Sequence, residues 1–377
     1  MIFKKEHELL RRAIRDFVER EMDTYPDEVD ETGIIPQEVK DKLAKYKFLS
    51  PVIPKEYSGA GADYVSYVII MEEISRRCAS TGTLVTATTS LVALPLTNFG
   101  TEDQKERYLR PLAEGKYIGS FALTEPGAGS DAGASQTTAY LDGDEWVLNG
   151  RKTFITNAPI ADFVIISAMT DKSKGTRGMS TFIVEAKMEG YSVGAHENKM
   201  GIRGTETSDI VLENVRVPKE NLLGKVGEGF KIMLNTLDYG RIGVAAQALG
   251  IAQGCLDEAV TYTKQRVQFG RPIAKFQNTQ FTIADMATKV QAARLLVYDA
   301  AVTKDAGKNP GLQSAMAKYY CAEIANEVAY KALQLHGGYG FIKDYPIERM
   351  YRDARIMSIY EGTSQVQLMV IAGAVLK

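Results

Sequence analysis

The sequence predicts a mostly helical α+β protein in three blocks: an N-terminal helical domain over residues 1–115, a central β-sandwich or barrel over 116–225, and a C-terminal four-helix bundle over 226–377. Three observations lead there. Leu9, Leu10, Ala13, Ile14, Phe17 and Val18 recur at helical spacing on a charged background. Strand-like runs with turn residues between them begin only after residue 116. Long runs poor in glycine return from residue 228.

Taken in order, helical runs at 36–48, 63–77 and 102–113 follow the first, separated by Pro- and Gly-bearing turns such as Pro51 to Gly61. The stretch from Cys78 to Thr101 has no charge and is long enough to span a bilayer. Its six hydroxyls between Ser80 and Thr89, with Pro95 and Asn98, make a buried helix the better expectation. Strands are expected at Thr137–Leu141, Glu145–Asn149, Phe163–Met169, Thr181–Glu185 and Asp209–Val217, the last stopped by Pro218. Asp142-Gly143 marks a hairpin whose register Asp144 leaves open. Helical runs at 228–268, 277–306, 311–335 and 346–357 complete the chain. Ala245, Ala246, Ala248, Gly250 and Ala252 leave room for close helix packing.

At 377 residues the chain has length for two or three domains. With 45 basic and 47 acidic residues, the net charge of −2 gives no electrostatic footprint for nucleic acid or an anionic membrane. Three scattered cysteines and three histidines form no zinc or disulfide pattern and starve any mechanism that needs several imidazoles. The N-terminus runs straight into charged amphipathic helix with no apolar signal core, so a cytoplasmic protein is expected. No GxxxxGKS/T or GxGxxG motif is present, which argues against a Rossmann cofactor domain.

Several segments carry chemistry-bearing residues, each with a plainer structural reading beside it. In FALTEPGAGSDAG (121–133), Thr124 and Ser130 offer hydroxyls and the glycines offer backbone N–H groups; an ordinary glycine-rich turn reads the same way. In RKTFITN (151–157), Phe154 and Thr156 share a strand face and could cover a planar ring, or simply end a strand. Arg266 and Arg271 flank Phe269, and a guanidinium fork suits a diphosphate as well as it suits a solvated helix end. QLHGGYG (334–340) reads first as a helix C-cap, with Gly337 or Gly338 left-handed and His336 structural. In IYEGTSQ (359–365), Glu361 is an acid among apolar neighbours, where burial raises a carboxyl toward neutrality, as a general base requires; a helix-capping acid is the alternative.

Together and in order, LTEPGAGSD, FITN, LDYGRIGVAAQALGIAQ, QRVQFGRPI, QLHGGYG, YRDARI and IYEGTS resemble the acyl-CoA dehydrogenase family over the whole chain, nearest to short-chain (butyryl-CoA type) members and related bacterial enoyl-CoA reductases of the acrylyl or caffeyl type. The resemblance implies FAD, two helical domains around a β domain, a homotetramer and an electron-transferring flavoprotein as partner. It implies that Phe121, Leu123 and Thr124 line the flavin, with Phe154 and Thr156 on its other side. Arg266, Gln268 and Phe269, joined by Gln334, Gly337 and Gly338, would hold the diphosphate and adenine part from a neighbouring subunit. Thr363 and Gln365 would meet the flavin's own diphosphate end, and Ser130, Asp238 and Arg241 the CoA and pantetheine of the substrate. Glu361 matches the catalytic base, with no metal involved. Some relatives carry the base at the position of Gly240, which has no carboxylate here. Many carry Trp where Phe154 stands, and a smaller ring could alter electron exit or admit a bulkier acyl group. The implied activity is α,β-dehydrogenation of a short-chain acyl-CoA, or its reverse, reduction of an acrylyl- or arylacrylyl-CoA.

Overall fold

The computed structural model describes residues 4–22 and 25–376. The first block holds α1 (Lys5–Glu21), α2 (Tyr25–Thr32), α3 (Gln37–Lys45), α4 (Tyr64–Arg77), α5 (Ala79–Thr86), α6 (Leu94–Phe99), α7 (Glu102–Gln104) and α8 (Arg110–Ala113). A π-helical segment, Ala87–Ala93, joins α5 to α6, so Ala79–Phe99 runs on as one apolar helix that is almost wholly buried inside the protein. Its hydroxyls find partners there. Thr83 Oγ1 bonds the Ala79 carbonyl, and Tyr67 Oη bonds both Thr86 and Ser90.

The strands are β1 (Gly119–Ala122), β2 (Thr138–Asp142), β3 (Glu145–Thr156), β4 (Phe163–Met169), β5 (Met179–Glu185), β6 (Tyr191–His196), β7 (Thr207–Pro218) and β8 (Leu222–Leu223). They are ordered β6-β7-β3-β2-β4-β5-β8, with β1 parallel to β4. Among the described residues the two halves join through the Thr138–Met169 pair of β2 and β4. They face each other across Trp146, Leu148, Ile210, Leu212 and Val217 on one side and Val164, Ile166, Phe182 and Val184 on the other, a sandwich-like core. Asp142 pairs with Glu145, so the hairpin loop is Gly143-Asp144 and the register left open in the sequence is fixed. The strand ending at residue 149 in the sequence reading in fact continues to Thr156, through two register shifts, one with the extra residue on β7 at Glu213–Asn214 and one with it on β3 at Thr153–Phe154.

The last block holds α9 (Gly229–Gln265), a two-residue β-ladder of β9 (Val267–Gln268) and β10 (Arg271–Pro272), then α10 (Gln277–Asp305), α11 (Gly311–His336), α12 (Ile347–Ala354) and α13 (Ser364–Val375). The fourth helix is shorter than its apolar run, and α13 is an additional one. The first and third blocks do not have separate cores. Ile14, Tyr67, Val68 and Met71 pack in one cluster with Ile242, Val244, Leu249, Val297 and Val328. Gly250 lies so close to α4 that a β-carbon there would sit 2.5 Å from the Glu72 carbonyl. Glu72, buried at this contact, accepts from Arg11 of α1 at 2.9 Å and from Arg294 of α10 at 3.0 Å.

Candidate active site

Between α12 and α13 the chain makes a turn in which Glu361 has φ +50° and Gly362 φ +90°. A non-glycine residue in this region costs about 1–2 kcal/mol and needs outside support. Thr363 caps α13 by accepting from the Val366 N–H, Gln367 Nε2 donates to the Gly362 carbonyl at 3.0 Å, and Lys318 Nζ of α11 donates to that same carbonyl at 2.6 Å. Tyr360 Oη donates to Gln247 of α9 at 2.6 Å.

The turn aims the Glu361 carboxyl at α9. A β-carbon on Gly240 would overlap Glu361 Oε2 and lie 3.3 Å from Leu91 of the π-helical segment. Oε2 is fully buried and has no hydrogen-bond partner among the described residues. Burial raises the carboxyl to about 7, against the pull of Lys318 and Arg241. An unpartnered buried carboxylate near neutrality is equipped to accept a proton from a weak acid. The Glu361 N–H makes no hydrogen bond among the described residues, leaving a backbone donor beside the carboxyl. Arg241, buried one residue along, pairs with Asp238 at 2.6 Å. Asp238 also lines a cavity of about 440 Å³ with Arg177, Phe230 and Lys231.

A second group gathers where β1 and β3 end. The Thr153 N–H donates to the Thr124 carbonyl at 2.9 Å, and Ser120 Oγ to the Thr156 carbonyl at 2.9 Å, so the segments bearing Phe121–Thr124 and Phe154–Thr156 lie side by side. Phe154 has φ +57° and is 65% exposed, an outlier for an aromatic side chain and a ring face with nothing over it. Leu123 buries its side chain, so it offers only backbone. Beneath them Lys152, wholly buried, donates to Leu123 O, Glu125 Oε1 and Ser167 Oγ at 3.1, 2.8 and 3.0 Å. Burial lowers Lys152 to about 8, while Lys152 and neighbouring donors outweigh burial at Glu125 and hold it near 2. K152M strands a buried carboxylate and is expected to cost about 3–5 kcal/mol in urea unfolding.

The third group is a cavity of about 530 Å³ lined by Arg266, Gln268, Gln334, Gly337 and Gly338, with Tyr262, His336 and Tyr339. A β-carbon on Gly337 or Gly338 would meet nothing, so the backbone there is open to a ligand. Gly337 caps α11 with φ +60° and ψ −136°, not in the left-handed helical conformation expected from the sequence. His336 stacks on Tyr262 with Nδ1 at 2.8 Å from the Ala332 carbonyl, while Nε2 is buried without a partner among the described residues. Phe269 does not line the cavity. It stands at a hairpin tip, 93% exposed, with φ +50°. Ser130 and Gln365 are exposed.

The acyl-CoA dehydrogenase N-terminal, middle and C-terminal domains match residues 4–116, 120–215 and 227–376. The chain belongs to the acyl-CoA dehydrogenase family. It is similar to a 3-(aryl)acrylate reductase of Clostridium sporogenes, 56% identical over 100% of both chains. It is also similar to the caffeyl-CoA reductase-Etf complex subunit CarC of Acetobacterium woodii, 55% identical over 100% of both. Among solved structures, butyryl-CoA dehydrogenase from Megasphaera elsdenii superposes with a TM-score of 0.97 at 45% identity, covering 100% of this chain and 99% of that one. As an acyl-CoA dehydrogenase family member the chain is an oxidoreductase for CH–CH bonds, of a family of flavoproteins.

Sequence reading missed two residues that hold this family member's Glu361 turn, Lys318 and Gln367. Lys318 carried a usable signal. It shares the buried face of α11 with Ala315, Cys321, Ala322 and Ala325, a place where lysine is rare.

Proposed function

We propose that the chain interconverts a short acyl-CoA and its α,β-enoyl-CoA, with Glu361 as the base that takes the α-proton in the oxidative direction. The observation that carries this is the buried, unpartnered Glu361 Oε2, raised to about 7 beside Gly240. An α C–H is too weak an acid for a free carboxylate, so the thioester carbonyl needs donors as it gains charge. The Glu361 N–H is one such donor, already fixed by the turn. Arg241 and Asp238, an ion pair at the edge of the 440 Å³ cavity, are assigned to the pantetheine, and Arg177 and Lys231 are cations suited to the phosphates of CoA.

The residues present fit FAD. The Phe154 face and Thr156 suit a planar ring system, and Arg266, Gln268, Gln334 and the open backbone of Gly337 and Gly338 suit a diphosphate and adenosine. Thr363 and Gln365, at the start of α13, are assigned to the flavin's own diphosphate end. Bound FAD supplies the acceptor for the β-hydride, and an electron-transferring flavoprotein exchanges the electrons. Phe269, projecting from its hairpin, fits a residue that completes its site on a second copy in a homotetramer.

The reductive direction is favoured by the two full-length relatives whose names are those of reductases. Anaerobic addition of butyryl-CoA to the yellow protein is expected to bleach the flavin absorbance. Protein that stays oxidised, but whose dithionite-reduced form is reoxidised by an arylacrylyl-CoA, assigns it to the reductase reading. Failure of both overturns the proposal.

A further inference from the structure

Lys318 is a wholly buried lysine with no carboxylate within ion-pair distance among the described residues. Among the described residues its hydrogen bond goes to the Gly362 carbonyl, at 2.6 Å. An ammonium taken out of water so deep in a helical bundle needs compensation, and the group it bonds among the described residues belongs to the turn that carries Glu361.

We propose that Lys318 is a positioning residue for the base: it pins the strained Glu361–Gly362 turn through the Gly362 carbonyl and supplies the positive charge that favours the carboxylate form of Glu361. The inference rests on Glu361 being the base.

The charges around the pair are few. Glu361 faces Lys318 from the turn and Arg241 from α9, with Arg241 already engaged by Asp238. Glu323, also on α11, accepts from Ser364 Oγ at 2.5 Å. Tyr67 of α4 and Tyr360 are the remaining titratable neighbours, and burial holds both phenols neutral. Gln367 donates to the same Gly362 carbonyl as Lys318, so the turn keeps one tether when Lys318 is changed, while the positive charge then left facing Glu361 is that of Arg241, already engaged by Asp238. Burial lowers Lys318 to about 8 and Glu361 sustains its charge, so the ammonium is the larger fraction where the base titrates near 7. The two roles of Lys318 therefore separate experimentally.

The test is single-turnover flavin reduction by butyryl-CoA in the FAD-loaded K318M, K318Q, K318R and E361Q enzymes from about pH 6 to pH 9, or flavin reoxidation by an enoyl-CoA where that is the working direction. In K318M the acid limb of the rate is expected to move up by about one pH unit, a tenfold loss near pH 6 that is largely recovered near pH 9. K318R keeps the wild-type limb. K318Q, a neutral donor of similar shape, shows the same displacement as K318M and stands in for it where K318M fails to fold. A limb that does not move in the neutral variants, even where the rate falls by one constant factor at every pH, overturns Lys318 as the charge that sustains the carboxylate while leaving Glu361 as the base. An E361Q enzyme that reacts at the wild-type rate overturns both.

Discussion

Replacing Glu361 with glutamine is expected to slow flavin reduction by acyl-CoA by about 10²–10⁴-fold, the usual contribution of a positioned general base. The amide has nearly the shape of the carboxyl and keeps the backbone N–H in place. Flavin content and substrate-induced spectral perturbation should therefore survive, and only the chemical step should fail. A second signature belongs to the same change. The folded-state pKa of Glu361 is raised, so its protonated form is favoured by folding. Stability from this group is full below the ordinary carboxyl pKa of 4.5 and is lost as pH rises through about 7. E361Q should remove that slope, so its melting temperature should gain on wild type between pH 5 and pH 8. A variant that reduces its flavin at the normal rate would sink the assignment, whatever its stability.

Gly240→Ala is expected to produce a loss of similar kind by a different route. The added methyl would clash with Glu361 Oε2 and crowd Leu91, so the carboxyl must swing away from the place where the α-carbon is to lie. A misplacement on the order of 1 Å costs roughly 10²-fold. The helix itself should tolerate the change, because alanine is the better helix former. Normal unfolding midpoints with depressed turnover would therefore separate G240A from a folding defect. Turnover near wild type would mean that the base does not work from this position.

Much of the framework was legible because it is periodic. Phe163–Met169 appears as a strand over the residues expected, and the long helices of the last block begin and end within a few residues of their apolar runs. What escaped has physical reasons. Tyr191–His196 is an exposed edge strand with no alternation to see, and Gly119–Ala122 is four residues leading into a glycine-rich loop. Leu222–Leu223 is too short to signal anything. The acid at 361 could be singled out by its apolar neighbours. Its strained backbone, and the tether from a lysine more than forty residues earlier, depend on a turn geometry that no spacing rule contains.

The single core shared by the first and last blocks bears on how the chain is made. Ile14, Tyr67 and Met71 bury themselves against residues such as Leu249, Val297 and Val328. A ribosome adding about 5–20 residues per second delivers those partners roughly 7 to 40 seconds after the first block has emerged. During that interval the opening helices expose an apolar face with nothing to cover it. The β block, which carries its own core of Trp146, Phe182 and Val217, is the part able to close while synthesis continues. Nascent chains stopped near residue 225 should therefore protect the sheet from protease while leaving α1 to α4 open to cleavage and to chaperone capture.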